Sequence, residues 1–413
     1  MRVDLLTREY PPHIYGGAGI HVTELAKVLV KHADVHVHAF DGDRTGVDLQ
    51  GAGPENGITV NGYDYVSELE GANSTLRTLG VDLQMAAKLE GADIIHSHTW
   101  YANMAGHIGA LLNEVPHVIS AHSLEPLRPW KREQLAGGYN VSSWVEKTAY
   151  EAASGIVAVS HGMRADILKA YPNVDPDKVH VIHNGIDLAK WKAPQTDAEW
   201  DEARQYFESY GIDPDKPTIM FVGRITRQKG VPGLLRALEY VPGDVQVILA
   251  AGAPDTPEIA AETRDLVAGL QAKRDGVIWI EEFLPTPKIV QLLACSTTFV
   301  TPSVYEPLGI VNLEAMAVGL PVVGTRTGGI PDCIDHNVTG TLVPIEQLDD
   351  GTGTPVDPDT FEKDLGTALA EMVSDPKRAK EMGLAGRKRA EDYFAWEAIA
   401  VKTMAFYKHI LGQ

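Results

Sequence analysis

Within Val222-Gly223-Arg224-Ile225-Thr226-Arg227-Gln228-Lys229-Gly230, two side chains are of the kinds that hold phosphate oxygens. Arg224 offers a rigid guanidinium fork and Lys229 a mobile ammonium. From Lys216 to Leu238 there are five basic residues and no acidic one, in a chain whose formal charge is −20. That local inversion suits a diphosphate and its stabilisation as a leaving group, although a solvated basic turn is the plainer reading. A second stretch, Tyr305-Glu306-Pro307-Leu308-Gly309-Ile310-Val311-Asn312-Leu313-Glu314, carries two carboxylates with seven residues between them. Pro307 and Gly309 interrupt any helix after Glu306, whereas Ile310 through Val318 reads helical. Glu306 therefore precedes a helix start and Glu314 lies inside the helix. Backbone amides of Leu308, Gly309 and Ile310 can hold phosphate while Glu306 holds sugar hydroxyls and Glu314 a ribose diol. Glycosidases also use two carboxylates, but theirs must flank a scissile bond, and the basic segment favours phosphate chemistry.

A third candidate is Tyr15-Gly16-Gly17-Ala18-Gly19, which leads from a strand ending in Thr7-Arg8-Glu9-Tyr10-Pro11-Pro12 into a helix. Its amides and the helix dipole form an anion site of the kind that takes a diphosphate. The spacing is neither the dinucleotide fingerprint, because Val22 stands where the third glycine belongs, nor a P-loop, because no Lys-Ser/Thr follows. A tight turn is the alternative. His96-Ser97-His98 and Ala121-His122-Ser123-Leu124-Glu125 each read as following a strand. Zinc would need a third ligand, and none stands at informative spacing, so no metal is expected. Asp41-Gly42-Asp43, Asp175-Pro176-Asp177, Asp213-Pro214-Asp215 and Asp357-Pro358-Asp359 have Gly or Pro centres that read as turns rather than metal carriers.

The elements that must position these residues alternate between short β-rich runs and helical patterns, the signature of parallel α/β layers. One sheet is expected from Val3 to Thr7, Val35 to Phe40, Asp93 to His96, Val118 to Ala121, Ile156 to Ser160 and Val179 to His183. After a polar stretch from Trp191 to Lys216, a second is expected from Thr218 to Gly223, Val245 to Ala250, Val277 to Ile280, Thr298 to Thr301, Pro321 to Gly324 and Gly340 to Pro344. Val22, Leu25, Ala26 and Leu29 lie on one helical face. Two open α/β domains place ligands at the carboxyl ends of strands, in a cleft between them. The expected domains are 1–190 and 191–394, with one more amphipathic helix near the C-terminus, in 395–413.

Composition narrows the partners. Thirty-six basic against 56 acidic residues argue against nucleic acid, which needs a broad basic face, and against a polybasic membrane anchor. With 44% hydrophobic and 22% charged residues the chain is of ordinary globular type. Two cysteines, Cys295 and Cys333, point to a reducing, cytoplasmic compartment. No signal peptide is read at the N-terminus, and no run of about 18 apolar residues suggests a membrane span.

Taken together, Gly223-Arg224 with Lys229-Gly230, the Glu306/Glu314 pair and the glycine-rich first loop resemble retaining glycosyltransferases of the GT-B fold. The first loop, His96-Ser97-His98-Thr99-Trp100 and Ala121-His122-Ser123-Leu124-Glu125 are similar to bacterial glycogen synthases of glycosyltransferase family four, including actinobacterial enzymes that make α-maltose 1-phosphate. The resemblance implies two Rossmann-like domains with an interdomain catalytic cleft, and a last helix that returns to the first domain. It implies α-1,4-glucosyl transfer from ADP-glucose to an α-glucan such as glycogen, or to glucose 1-phosphate, with no cofactor and no metal. By that resemblance Arg224 and Lys229 bind the diphosphate, Glu306 the donor glucose and Glu314 the ribose. Backbone amides from Leu308, Gly309, Ile310 and Val311 assist, Gly16 and Gly17 close over the phosphates, and His122 faces the transferred glucose. Glu9, Tyr15, His98 and Arg164 are the candidate acceptor contacts, and Arg128, Lys131 and Arg132 further cations for an acceptor phosphate. One departure is that many synthases of the wider group carry Lys-x-Gly-Gly in the first loop, and no lysine precedes Gly16-Gly17 here. Two other readings stay open, a nucleotide-sugar epimerase on the same architecture and a non-catalytic sugar-binding protein. Donor base, acceptor and homo-oligomer formation are open as well.

Overall fold

The computed structural model describes residues 1–127 and 137–413, so Arg128, Lys131 and Arg132 lie outside the described residues. The chain divides into two compact units, Met1–Gly185 with Trp396–Gln413, and Ile186–Ala395. The division falls five residues before the boundary read at 190/191.

The first unit contains β1 (Arg2–Thr7), α1 (Gly17–Leu29), β2 (Asp34–Phe40), β3 (Thr59–Tyr63), α2 (Ser74–Ala86), β4 (Ile94–His98), α3 (Trp100–Asn113), β5 (His117–Ala121), α4 (Gly138–Ala152), β6 (Gly155–Ala158), α5 (His161–Ala170) and β7 (Val179–Val181). Its sheet is parallel throughout, in the order β3-β2-β1-β4-β5-β6-β7. Helices on the faces bury the central strands on both sides, which is why β1, β4, β5 and β6 are near-continuous buried runs rather than alternating ones. The edge strand β3 was not among the expected strands. Its Thr59-Val60-Asn61-Gly62-Tyr63 sequence includes two residues that strands disfavour. Gly62 is required there because a Cβ would sit 1.7 Å from the Gly42 carbonyl oxygen.

The second unit contains α6 (Asp197–Glu208), β8 (Thr218–Arg224), α7 (Val231–Ala237), β9 (Gln246–Gly252), α8 (Pro257–Gln271), β10 (Val277–Ile280), α9 (Thr286–Cys295), β11 (Thr298–Thr301), α10 (Ile310–Val318), β12 (Val322–Thr325), α11 (Ile330–Cys333), β13 (Gly340–Val343), α12 (Pro358–Ser374) and α13 (Pro376–Phe394). Its parallel order is β10-β9-β8-β11-β12-β13. The stretch read as merely polar holds α6, started by a capping box between Thr196 and Glu199. The last helix, α14 (Trp396–Ile410), belongs to the first unit. There Trp396, Ile399, Met404, Phe406 and Tyr407 join the core formed by β1, β2 and the Val22/Leu25/Ala26/Leu29 face of α1.

In each sheet the chain runs outward in one direction from its first strand, then returns to build the other side. The reversal lies between β1 and β4 in the first unit and between β8 and β11 in the second. Ligands of open α/β sheets bind outside the carboxyl ends of the strands at such a reversal. The segments with candidate chemistry follow β1, β5, β8 and β11 or, for His96-Ser97-His98, end β4.

Candidate active site

In the second unit, β8 ends at Arg224, whose exposed guanidinium lies 3.1 Å from Asp255 Oδ1. The following turn is closed by the Lys229 amide, which donates to the Thr226 carbonyl at 3.1 Å. Gly230 then adopts φ +66°, and a Cβ there would lie 2.0 Å from the carbonyl oxygen of Pro302. Only glycine allows the β8–α7 turn to pass this close to the segment after β11. A second clamp is the Val304 amide on the Gln228 carbonyl at 2.9 Å. These contacts bring Lys229 Nζ to 2.6 Å from Glu306 Oε2, which also accepts from Ser303 Oγ at 3.2 Å. The ion pair is largely withdrawn from solvent, with side-chain exposures of 21% and 9%.

Past Glu306, Gly309 turns the chain into α10 at φ +93°. Asn312, fully buried, accepts a hydrogen bond from Thr301 Oγ1 at 2.5 Å and ties the start of α10 to the end of β11. Ile310 and Val311 occupy the first turn, where backbone amides lack intrahelical partners and the dipole favours an anion. Glu314 stands one turn further on. Burial pushes its carboxyl up to about 7, against the opposing pull of Lys190 and Lys229. Lys229, Glu306, the α10 N-terminus and Glu314 thus form one continuous arrangement of cation, carboxylates and amide donors.

The first unit places the glycine-rich turn at the N-terminus of α1, with Gly16 as the cap. Glu9 Oε2 accepts from the amides of Tyr15 and Gly16 at 2.8 and 2.7 Å. Those amides, expected to meet a phosphate, serve this internal carboxylate in the present structure. Gly19 makes the contact possible, because a Cβ there would fall 2.7 Å from Glu9 Cβ. Tyr15 is exposed, its hydroxyl donating to Asp41 Oδ2 at 3.4 Å. Arg164, on α5, gives Nε to the Val179 carbonyl and Nη2 to that of Pro176 at 3.0 and 3.1 Å, fastening the approach to β7.

His96, read as the last residue of a strand, and His98, expected beyond it, both lie within β4 and are buried. The correction follows from pairing, since β4 continues alongside β5 as far as the His98–Ser120 register. His96 is satisfied on both nitrogens, by Tyr407 Oη at 2.6 Å and Ser120 Oγ at 2.9 Å. His98 Nδ1 lies 3.1 Å from Nε2 of the half-buried His122, which directly follows β5. His21, from α1, completes the group with its ring centroid 4.7 Å from that of His122. Burial lowers His122 to about 4 and His96 to about 3. Burial, and then the neighbouring imidazoles, hold His21 and His98 well below the ordinary histidine range. All four are neutral at pH 7, so His122 meets its surroundings as an uncharged donor or acceptor.

Residues 15–190 match the family described as Glycosyltransferase Family 4, and residues 202–389 match Glycosyl transferases group 1. The chain is 48% identical over 410 residues to α-maltose-1-phosphate synthase of Mycolicibacterium smegmatis, covering 99% of this chain and 100% of that one. This chain is a family 4 glycosyltransferase. Identity to the Mycobacterium tuberculosis α-maltose-1-phosphate synthase is 47% with the same coverage. Anabaena HepE, solved with UDP and glucose, superimposes with a TM-score of 0.75 at 20% identity, over 99% of this chain and 100% of its own. The fold is therefore GT-B, as the sequence motifs implied. No helix among the described residues is long and apolar enough to cross a membrane.

Residue type and strand-end position drew attention to Arg224, Lys229, Glu306, Glu314 and His122, and the structure sets Lys229 against Glu306. Ser303, Asn312 and Asp255 were missed: Ser303 donates to Glu306, Asp255 pairs with Arg224, and Asn312 ties α10 to the end of β11. Ser303 lies between β11 and Glu306 and Asn312 in the first turn of α10, so their polar character on either side of Glu306 was an available signal. His21 was missed because its partner His98 is 77 residues away in sequence, and only the packing of α1 on the sheet brings them together.

Proposed function

We propose that this glycosyltransferase forms α-maltose 1-phosphate from ADP-glucose and glucose 1-phosphate, with retention at the transferred carbon. The carrying observation is the full-length 48% identity to a protein named α-maltose-1-phosphate synthase. In the reaction, the bond from glucose C1 to the ADP oxygen breaks, C1 bonds to O4 of the acceptor, and the acceptor 4-hydroxyl loses its proton. Charge builds on the departing diphosphate and on an oxocarbenium-like sugar.

The second unit supplies what that charge requires. Arg224 and Lys229 take the diphosphate, aided by the amides of Leu308, Gly309, Ile310 and Val311. Glu306, positioned by Lys229 and Ser303, holds hydroxyls of the donor glucose. Glu314 accepts from the ribose. In the first unit, neutral His122 faces the transferred sugar without adding a cation beside a developing cationic centre. Glu9 and Tyr15 offer a carboxylate and a phenol to the acceptor from the β1–α1 turn. No metal is assigned a part in transfer. Glycogen extension is the alternative use of the same donor site, and no residue distinguishes ADP from UDP.

Donor dependence tests this reading. Purified protein is mixed with ADP-glucose or UDP-glucose, with and without glucose 1-phosphate, and nucleoside diphosphate release is followed. Fast ADP release only with acceptor is expected. Interconversion of the donor without nucleotide release would establish an epimerase instead.

A further inference from the structure

His21, His98 and His122 come from three different elements, α1, the end of β4 and the residue after β5, and converge on one point in the first unit. One ligand nitrogen from each lies within 4.8 Å of the others. We propose that these three imidazoles form a binding site for a divalent transition-metal ion of the zinc class, and that its occupation switches glycosyl transfer off. The second clause rests on the placement of His122 against the donor sugar; the first does not.

The cluster is short of hydrogen-bond partners. His98 Nε2 is buried with no hydrogen-bond partner among the described residues, and the polar side chain that faces His21 is Asn184. Buried polar atoms are nearly always paired, and an unpaired one calls for an explanation such as an ion. The neighbouring His96 shows that the fold can satisfy a histidine here, since Tyr407 and Ser120 engage both of its nitrogens.

The geometry fits a tetrahedral centre. Zn–N bonds of about 2.0–2.1 Å place ligand nitrogens about 3.3 Å apart. One nitrogen of each ring already lies within 4.8 Å of the others, so reaching that spacing needs side-chain adjustment on the order of 1 Å. Three protein nitrogens leave a fourth position open, and imidazoles select zinc, copper, nickel or cobalt over magnesium or calcium. An ion held there engages the His122 nitrogen and takes it from the role assigned to that residue in transfer, so the ion acts as an inhibitor and not as a cofactor.

Metal-free protein titrated with Co²⁺ should bind one ion per chain with the intense visible absorption of a tetrahedral site, displaced by Zn²⁺ and unaffected by Mg²⁺. His21→Gln and His98→Gln should each raise the Zn²⁺ concentration for half-inhibition, relative to that variant's own metal-free rate, by on the order of tenfold or more. Circular dichroism establishes that each variant is folded. Anomalous scattering from Zn²⁺-soaked wild-type crystals needs no variant and should locate the ion between the three imidazoles. Absence of saturable Co²⁺ binding, or an anomalous peak elsewhere, overturns the site. Binding at the trio with full transfer activity overturns the switch and, with it, the role given to His122.

Discussion

Lys229 and Glu306 hold each other in place at 2.6 Å, largely out of solvent. Truncating one leaves the other partly buried without its counter-charge. Lys229→Ala should lower kcat by on the order of 10², the effect of removing one preorganised transition-state contact. Steady-state kinetics check this, and near-wild-type turnover would contradict the role. Glu314 carries a pH signature. Its carboxyl is raised to about 7 by burial, so it is increasingly protonated below neutrality and accepts fully from a ribose only when ionised. The KM for the nucleotide sugar should fall as pH rises through about 7, and Glu314→Gln should flatten that dependence. A donor KM independent of pH between 6 and 8 in the wild type would remove Glu314 from the ribose. These residues were legible because charge type, strand-end position and a helix start coincide within single short motifs. His21 was not, because its partners reach it only through tertiary packing.

Two elements, the β8–α7 turn and the segment after β11, place Lys229 against Glu306, and Gly230 is where they touch. A methyl group there meets the Pro302 carbonyl at 2.0 Å on a backbone at φ +66°. Gly230→Ala should destabilise by about 1–3 kcal/mol, as overpacking does, and lower kcat by separating Lys229 from Glu306. Urea unfolding with parallel kinetics tests both, and unchanged values would remove the turn as the positioning device. Hydrophobic runs made the central strands readable, and twelve of the thirteen strands among the described residues had a counterpart in the sequence pattern. The exception, β3, pairs on one side only and contains Asn61 and Gly62, so it lacks the continuous apolar run that central burial demands. Helix α6 escaped for a related reason: among its twelve residues only Ala203 and Phe207 are buried, leaving little apolar period to read. Strand β4 was read two residues short because His96-Ser97-His98 looks polar. Its side chains are instead satisfied or packed inside the sheet by Ser120, Tyr407, Asn103, His117 and His122.

At the scale of the whole molecule, a net charge of −20 excludes a polyanionic polymer as partner but not a small phosphate ester, because the acid-free stretch from Lys216 to Leu238 sits at one sheet's reversal point. Both units repeat the same logic of a parallel sheet with chemistry at the carboxyl ends of its strands. The last helix, far from β1 in sequence, completes the first unit's core with Trp396 and Tyr407, and it also satisfies His96 beside the candidate site. That return was legible only through the family resemblance, because amphipathicity says that a helix packs but not on what. The central claim is the identity of the acceptor, and one comparison addresses it directly. Purified protein with ADP-glucose is offered glucose 1-phosphate or glycogen in parallel, and products are identified by phosphorus and carbon magnetic resonance. The expected result is faster ADP release with glucose 1-phosphate and accumulation of α-maltose 1-phosphate. Chain extension of glycogen with no α-maltose 1-phosphate formed would contradict it.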